Sequence, residues 1–222
     1  MGTKAKIASV IAGTAVLLLV TCAGIGSCRA KMQRIAARAY VLASSVWYGG
    51  GNYAPSGQPP LAILNEGNFS QFRAAFDAGS DGTRILLLVS PTCPLCLRGV
   101  SKTQEMLKKV DSADVRVLVV WEPILASDWG KPTRPALSRI SDHRALQFWD
   151  KDHLVAKQLD EHLAAAAIQP SCCKSAGILW DTAVLYPKDV LWGGAPVYIA
   201  APIAEREMEL AQRMQLTLRS GL

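Results

Sequence analysis

Cysteine and histidine are scarce in this chain of 222 residues, which contains six cysteines and three histidines. Six cysteines are too few for the disulfide scaffold that replaces a hydrophobic core in small secreted domains. None of the histidines, His143, His153 and His162, stands at a spacing from a cysteine that is typical of a zinc site. The composition is 50% hydrophobic, so the chain can bury one core of ordinary domain size, with a segment left over at one end.

The sequence also lacks a stripe of basic residues interleaved with aromatic residues, so nucleic-acid binding is not expected. The formal net charge is only +6, and part of it comes from residues that flank an N-terminal apolar segment. These residues are Lys4, Lys6, Arg29, Lys31, Arg34 and Arg38. Their charge suits the anionic head groups of a lipid bilayer.

No charged residue lies between Lys6 and Arg29, and the apolar run between them is long enough to cross a bilayer. Residues 1–28 are therefore predicted to be a signal anchor that spans the inner membrane. The alternatives are a cleaved signal peptide and a bacterial lipoprotein acylated at Cys22 or Cys28. More basic residues follow the segment than precede it, which by itself favours a cytosolic domain. We nevertheless expect the domain on the outer side, in the periplasm of the cell envelope.

Two short segments connect this anchor to the rest of the chain. Residues 29–47 have the pattern of a basic amphipathic helix, which either lies on the membrane surface or continues the membrane helix. Residues 48–60 are rich in glycine, proline and serine without a period, and are predicted to be a linker. One folded domain is then expected over residues 61–222.

An uninterrupted apolar strand at residues 85–89 leads into two cysteines, Cys93 and Cys96, at the predicted first turn of a helix. The free N–H groups and the positive end of a helix stabilise a thiolate relative to a thiol. Cys93 is therefore the predicted nucleophile. Cys96, one turn further along, would resolve the mixed disulfide that Cys93 forms. The pair would cycle between dithiol and disulfide without an organic cofactor.

The pattern around this pair alternates helices and strands, which predicts an α/β fold. A second buried strand at residues 115–120 completes a βαβ unit with a parallel, right-handed crossover. The loop after it, residues 121–135, starts at the edge where open α/β sheets bind their ligands. The remaining expectations are helices at residues 65–78, 141–150, 151–167 and 203–218, and strands at residues 178–186 and 197–200.

A metal site competes with redox chemistry as the explanation of the Cys-x-x-Cys pair, since half of a zinc site has the same spacing. The other adjacent pair, Cys172 and Cys173, cannot offer two thiolates to one tetrahedral ion without strain. The strand-then-helix context favours redox chemistry. Cys172 and Cys173 themselves are a possible second thiol pair that exchanges with Cys93, ligands of a soft metal, or simply two small residues.

Residues 68–200 resemble the thioredoxin-like superfamily. The resemblance rests on Cys93-Pro94-Leu95-Cys96 after a buried strand, on the βαβ order, and on Pro196, which opens a late strand before the C-terminal helix. It implies a three-layer fold in which helices flank a central mixed sheet. It also implies that Pro196 is a cis-proline beside the cysteines, with Ala195 pairing to an extended substrate. The substrate groove would consist of Thr92, Pro94, Leu95, Ala195 and Pro196.

The sequence departs from this family in several places. Thr92 stands where an aromatic residue usually precedes the first cysteine, and residues 85–89 lack the buried acidic residue that assists proton transfer in thioredoxin. A cytosolic general thioredoxin is therefore not expected, and neither cysteine of the pair has the Pro-x-x-x-Thr-x-x-Cys frame of a peroxiredoxin. The segment between the second strand and Pro196 is longer than the minimal fold requires. It is predicted to carry an insertion that includes Cys172 and Cys173.

These observations predict a membrane-anchored thiol–disulfide oxidoreductase of the bacterial envelope that acts on protein or small-molecule disulfides. Its expected partners are protein thiols or disulfides, or a membrane electron donor. Glu122 is a possible proton acceptor for Cys96, and the alternative is a solvated loop carboxylate. Two other functions stay open. One is an envelope protein that binds copper or mercury through thiolates, and the other is a docking module whose Cys93–Cys96 disulfide is structural.

Overall fold

Strand β2, Thr83–Val89, is a central strand of the sheet, and all seven of its residues are buried. Its side chains alternate between two cores, with Leu86 in one and Leu87 in the other. A strand buried on both faces requires this alternation, because successive side chains point to opposite sides of the sheet. The structure is a computed structural model that describes residues 53–110 and 112–220.

Strands and helices alternate along most of the described chain, as the sequence predicts. In chain order the elements are β1 (Ala62–Leu64), α1 (Phe69–Asp77), β2 (Thr83–Val89), α2 (Pro94–Lys108), β3 (Val115–Trp121), α3 (Arg134–Leu137), β4 (Ala145–Asp150), α4 (Leu154–Ala165), β5 (Lys174–Ser175), β6 (Ile178–Leu179), β7 (Thr182–Tyr186), β8 (Tyr198–Ala200) and α5 (Glu207–Ser220). A 3-10 helix, Glu66–Asn68, leads into α1. Strands β5 and β6 pair with each other outside the main sheet.

The main sheet has six strands in the order β1-β4-β3-β2-β7-β8. The first four are parallel to one another, whereas β7 pairs antiparallel with β2, and β8 pairs antiparallel with β7. A βαβ unit that carries the cysteines is thus followed by an antiparallel pair and a C-terminal helix. This arrangement agrees with the thioredoxin-like fold that the sequence predicts. The prediction of an α/β mixed sheet flanked by helices is confirmed.

Helices cover both faces of the sheet and form the outer two of the three layers. Phe72 of α1 and Leu159 of α4 pack in one core, and Val100 of α2 and Leu210 of α5 pack in the other. Burial of each such side chain stabilises the fold by roughly 1.5–3 kcal/mol. Because α2 is fixed in this way, Cys96 on its first turn faces the core.

Of the segment predicted as a helix at residues 141–150, residues 145–150 instead form strand β4. It lies between β1 and β3 and pairs in parallel with both. Phe148 and Trp149 belong to the cores on opposite faces of the sheet, which is the period of a strand. The segment predicted to carry an insertion before the late strands holds the β4–α4 unit and the loop that follows it.

The second half of the predicted linker, residues 48–60, packs against the domain. Gln58 Nε2 donates hydrogen bonds to the carbonyl oxygens of Ile140 at 2.9 Å and Asp142 at 2.8 Å. Gln58 Oε1 accepts a hydrogen bond from Gln147 Nε2 at 2.7 Å. The folded unit therefore begins earlier in the chain than the predicted boundary.

The predicted signal anchor, residues 1–28, and the predicted juxtamembrane helix, residues 29–47, lie outside the described residues. Within the described part, no helix is both long and apolar enough to span a bilayer. The longest described helix, α2, has 15 residues.

Helix α2 packs closely against the rest of the domain at Gly99, where a side chain has no room. A Cβ atom there would lie 2.8 Å from Ile203 Cβ and 3.2 Å from Asp181 Oδ1. Gly99→Ala is therefore expected to lower the free energy of unfolding by about 1–3 kcal/mol, because the clash outweighs the helix propensity of alanine. Chemical denaturation measures this change. Gly130→Ala is the control, since beyond its chain neighbours no atom lies within 4 Å of a Cβ there. Unchanged stability of the Gly99→Ala protein would contradict the clash.

Candidate active site

Cys93 and Cys96 lie at the start of α2, just beyond the carboxyl end of β2. Cys93 is the N-cap residue of the helix, and Pro94 follows in its first turn, where a missing N–H is tolerated. The Cys93 Sγ accepts a hydrogen bond from the Cys96 amide at 3.4 Å. Both cysteines are free thiols, and Cys93 is half-buried whereas Cys96 is fully buried. The helix start therefore presents one partly exposed cysteine and one cysteine that solvent cannot reach.

Cys96 is held in its protonated form. Burial raises the pKa of Cys96, and the side chains of Cys93 and Asp181 raise it further. The backbone of Ser90 acts in the opposite direction without offsetting these effects. If Cys96 is to attack a disulfide, its thiol must first lose a proton, which requires an acceptor nearby.

Asp181, directly before β7, is the carboxylate whose charge acts on Cys96 most strongly. Its side chain is buried, and its Oδ1 has no hydrogen-bond partner within the described residues. Burial also raises the pKa of Asp181. The strand register explains its position, because Thr182 pairs with Leu88 at the end of β2 that leads to the cysteines. Asp181 is not among the predicted site residues, since only the pairing of β7 with β2 brings it to this site.

The carboxylate of Asp128 holds the loop after β3 against the loop that carries Cys93. It accepts hydrogen bonds from donors in both loops. The donors are Thr92 N (3.1 Å), Thr92 Oγ1 (2.5 Å), Ser90 Oγ (2.7 Å), Ile124 N (2.9 Å) and Leu125 N (2.8 Å). Ser90 Oγ in turn accepts a hydrogen bond from the Cys93 amide at 3.1 Å. Asp128 thus positions the reactive cysteine through Ser90 and Thr92.

Glu122 is fully buried at the end of β3, so the solvated-loop interpretation of this residue does not hold. Its amide donates to the carbonyl of Val89 at 3.0 Å, close to the start of the cysteine loop. Its Oε2 lies 2.9 Å from His153 Nδ1, whereas its Oε1 has no partner within the described chain. Burial raises the pKa of Glu122 to about 7, although the bond to His153 acts in the opposite direction. Asp181 is among the groups that raise the pKa of Cys96, and Glu122 is not one of them.

The burial of Glu122 predicts that stability depends on pH. The folded-state pKa of about 7 lies above the ordinary value of 4.5, so stability falls as the pH rises through this interval. In wild type, the free energy of unfolding should fall by about 3 kcal/mol across this pH interval. Glu122→Gln is expected to abolish this decrease, because the amide carries no charge to bury. Urea denaturation of both proteins across this pH interval measures the difference. Equal pH slopes in wild type and variant would contradict the assignment.

The surface around Cys93 exposes apolar side chains that a substrate can contact. Leu95, between the two cysteines, is 51% exposed, and Leu125 and Trp129 in the neighbouring loop are 43% and 44% exposed. Leu125 and Trp129 are not among the predicted groove residues, because the bonds of the Asp128 carboxylate hold their loop against the cysteine loop. The predicted groove residues that do lie beside Cys93 in the chain are Thr92, Pro94 and Leu95.

The other two predicted groove residues, Ala195 and Pro196, lie at the opposite end of the sheet from the cysteines. The amide of Val197, the next residue, donates to the carbonyl of Leu185, which is paired near the start of β2. The groove prediction is therefore wrong for Ala195 and Pro196, because a proline ahead of a strand does not reveal at which end of the sheet that strand starts. Pro196 is also not the cis-proline. The cis peptide bond in the described chain is Ala201–Pro202, which follows β8 on the cysteine side.

Cys172 and Cys173 form a disulfide with each other in the loop between α4 and β5. Both residues are half-buried. Ser171 Oγ donates to the carbonyl of Ala201 at 2.7 Å, and the Trp180 amide donates to the carbonyl of Cys173 at 2.9 Å. Among the residues that the structure describes, no group of three or more His, Cys, Asp or Glu side chains could hold a metal ion.

Comparison with known proteins gives a remote likeness. No family model matches the chain, and no curated protein matches it. Among solved structures, a secreted disulfide oxidoreductase of Mycobacterium tuberculosis, described as homologous to E. coli DsbE, is similar with 12% sequence identity and a TM-score of 0.38. The match covers 64% of this chain and 85% of that protein. The strand order and the placement of the cysteines, rather than this likeness, identify the fold.

Proposed function

We propose that this protein is a thiol–disulfide oxidoreductase whose reactive groups are Cys93 and Cys96. The observation that carries the proposal is the half-buried Cys93 at a helix start, with the fully buried Cys96 one turn further along. The first feature favours attack on a disulfide from outside, and the second shields the resolving thiol from other reactants. A purely structural disulfide needs neither feature.

In the reducing direction, the Cys93 thiolate attacks one sulfur of a substrate disulfide, and the other sulfur leaves as a thiolate. A mixed disulfide then joins Cys93 to the substrate. Cys96 loses its proton and attacks the Cys93 Sγ, so the second substrate sulfur leaves and a Cys93–Cys96 disulfide forms. Two electrons have passed to the substrate, and the oxidising direction reverses each step.

Asp181 is the proposed acceptor of the Cys96 proton. Its charge acts on Cys96, and its buried Oδ1 has a free lone pair because no donor bonds to it within the described residues. Glu122, the acceptor expected from the sequence, is the second candidate. One of its oxygens is engaged by His153, which makes it the weaker candidate.

The proposed substrates are protein thiols or disulfides, because the exposed Leu95, Leu125 and Trp129 offer apolar contacts to a polypeptide. The uncharged run between Lys6 and Arg29 supports anchoring in the inner membrane, with the domain in the periplasm and a membrane protein as electron donor. No organic cofactor takes part in the proposed chemistry, since the cysteine pair itself carries the electrons.

Insulin reduction by dithiothreitol tests this function with the 222-residue chain. Wild-type protein is expected to accelerate the reaction, whereas Cys93→Ser should give only the rate without protein. Cys96→Ser retains the nucleophile and, after reduction and removal of dithiothreitol, should accumulate a mixed disulfide with insulin. If wild type is no faster than Cys93→Ser, the proposal fails.

A redox titration of the Cys93–Cys96 pair separates catalysis from a structural bond. Catalytic pairs have potentials between about −270 and −120 mV, whereas stable structural disulfides lie below about −300 mV. We expect a value in the catalytic range. A value below that range would favour the docking module with a structural disulfide.

A further inference from the structure

The Cys172–Cys173 bond is a second sulfur centre that the proposed redox cycle does not use. It joins residues with a sequence separation of 1, so it closes no loop of chain. The stabilisation that a disulfide provides by restricting the unfolded chain grows with loop length, and it is negligible for neighbouring residues. Stabilisation of the fold by cross-linking therefore does not explain the Cys172–Cys173 bond. The alternative is a chemical role.

The strand register places both cysteine pairs at the same end of the sheet. Strand β7 starts at Thr182, which pairs with Leu88 just ahead of the Cys93 loop. Trp180 precedes this strand, and its amide donates to the carbonyl of Cys173 at 2.9 Å. The side chain of Trp180 packs against the same core as Cys93 does. Trp180 thus bonds to Cys173 through its backbone, and its side chain packs in the core that lies against Cys93.

A second contact fixes the loop from its other side. Ser171, the neighbour of Cys172, donates its hydroxyl to the carbonyl of Ala201 at 2.7 Å. Ile203, two residues further on, lies against α2 at Gly99, in the helix that begins at the reactive pair. The second disulfide is therefore held from both sides by segments that border the Cys93 site.

The second disulfide lies in the loop directly before the β5–β6 hairpin, and the backbone there is strained. Cys172 and Cys173 are half-buried, as Cys93 is. The backbone of Cys173 is left-handed with φ of 65°, and that of Ala176 is left-handed with φ of 49°. Such conformations are unfavourable for non-glycine residues and are concentrated at functional sites.

We propose that Cys172–Cys173 is a second redox centre that exchanges electrons with the Cys93–Cys96 pair of the same chain. This rests on the proposed function of Cys93. The Cys93 thiolate attacks one sulfur of the Cys172–Cys173 bond, which breaks, and the other sulfur leaves as a thiolate. Cys96 then loses its proton and attacks Cys93 Sγ, so the second sulfur leaves in turn. Two electrons pass from the first pair to the second without any external reactant, and the reverse reaction reduces the first pair.

Two double variants of the full chain trap the intermediate: Cys96→Ser/Cys172→Ser and Cys96→Ser/Cys173→Ser. Each keeps Cys93 and one sulfur of the second pair. The reduced proteins are oxidised with glutathione disulfide, blocked with N-ethylmaleimide, digested and mapped by mass spectrometry. We expect a bond between Cys93 and the remaining cysteine in most molecules of at least one variant. Its yield should not depend on protein concentration, because the reaction is intramolecular.

The triple variant Cys96→Ser/Cys172→Ser/Cys173→Ser is the matched control, because it lacks the second pair and differs in nothing else. Cys93 there is expected to take up glutathione. If it does so while neither double variant forms the internal bond, the second redox centre is disproved and the proposed function stands. If Cys93 takes up no glutathione in the control, the proposed function fails, and the exchange between pairs fails with it.

Discussion

Asp128→Ala is expected to lower the free energy of unfolding by about 3–5 kcal/mol and to abolish redox activity. The side chain is 3% exposed, and its two oxygens accept hydrogen bonds from three amides and two hydroxyls. Alanine would leave the three amides and the Ser90 hydroxyl without their acceptor, whereas the Thr92 hydroxyl also bonds with Ser127 Oγ. Each buried donor left unpaired costs about 1–3 kcal/mol, and relaxation or entry of water reduces the sum.

The loss of activity follows from the position of Ser90. Its hydroxyl is held by Asp128 and accepts the hydrogen bond of the Cys93 amide. Without the carboxylate, the loop that sets the orientation of Cys93 at the start of α2 loses its anchor. We therefore expect Cys93 to react with a small alkylating reagent while disulfide reduction is lost, because alkylation needs only access and reduction needs the positioned pair.

Chemical denaturation and insulin reduction measure the two effects of Asp128→Ala. Asp128→Asn keeps the shape of the side chain but turns an NH₂ group toward hydrogen-bond donors. Its stability and activity should therefore lie between those of wild type and Asp128→Ala. Asp152→Ala is the matched control, since the ion pair of Asp152 with Lys151 is exposed and is worth about 0–1 kcal/mol. If Asp128→Ala is no less stable than the control, the carboxylate does not hold the two loops together.

The reactive pair and the strands around it could be predicted because their signals are local. A buried strand followed by Cys93 and Cys96 at a helix start is visible within about fifteen neighbouring residues. β4 was predicted as a helix because a short segment with aromatic residues fits either period, and burial between β1 and β3 decides it. Tertiary pairing overrides the local pattern in such segments.

The rest of the site could not be predicted because it depends on strand direction. Asp181 and Pro196 both lie beside late strands, and the sequence pattern marks the proline more clearly. Strand β7 begins at the cysteine end and β8 begins at the far end, so the register brings Asp181 to Cys96 and takes Pro196 away. Composition and spacing do not show in which direction a strand runs through the sheet, because contacts between residues far apart in the chain fix that direction.

Asp181→Asn is expected to slow the resolving step by about 10- to 100-fold, because an amide cannot take the proton that Cys96 must lose. The first step, attack by Cys93, should keep its rate.

Asp181→Asn should also be more stable than wild type at neutral pH. Burial raises the pKa of Asp181, so its carboxyl holds a proton more tightly in the folded protein than in the unfolded chain. As the pH rises to neutral and this carboxyl ionises, the free energy of unfolding of the wild type falls, whereas asparagine carries no charge to bury.

Reaction with 5,5′-dithiobis(2-nitrobenzoate) separates the two steps. Attack by Cys93 releases one thionitrobenzoate, and resolution by Cys96 releases a second one. Cys96→Ser is the control that should release only the first. Glu122→Gln is the control for the second carboxylate, and we expect it to slow the second release less than Asp181→Asn does.

The direction of the change in Asp181→Asn decides between two roles of this carboxylate. As a negative charge, Asp181 raises the pKa of Cys96, and its removal would make the Cys96 thiolate easier to form and speed the second release. As a proton acceptor, its removal would slow the second release. The charge effect is a minor cause of the high Cys96 pKa, after burial and the bond to Cys93, whereas general-base catalysis contributes about 10²- to 10⁴-fold. The acceptor role should therefore dominate.

The pH profile of this step gives a second test. In wild type the rate of the second release should rise with pH as Asp181 ionises and then level off. In Asp181→Asn this rise should be missing. A faster second release in the variant would show that Asp181 acts only as a charge.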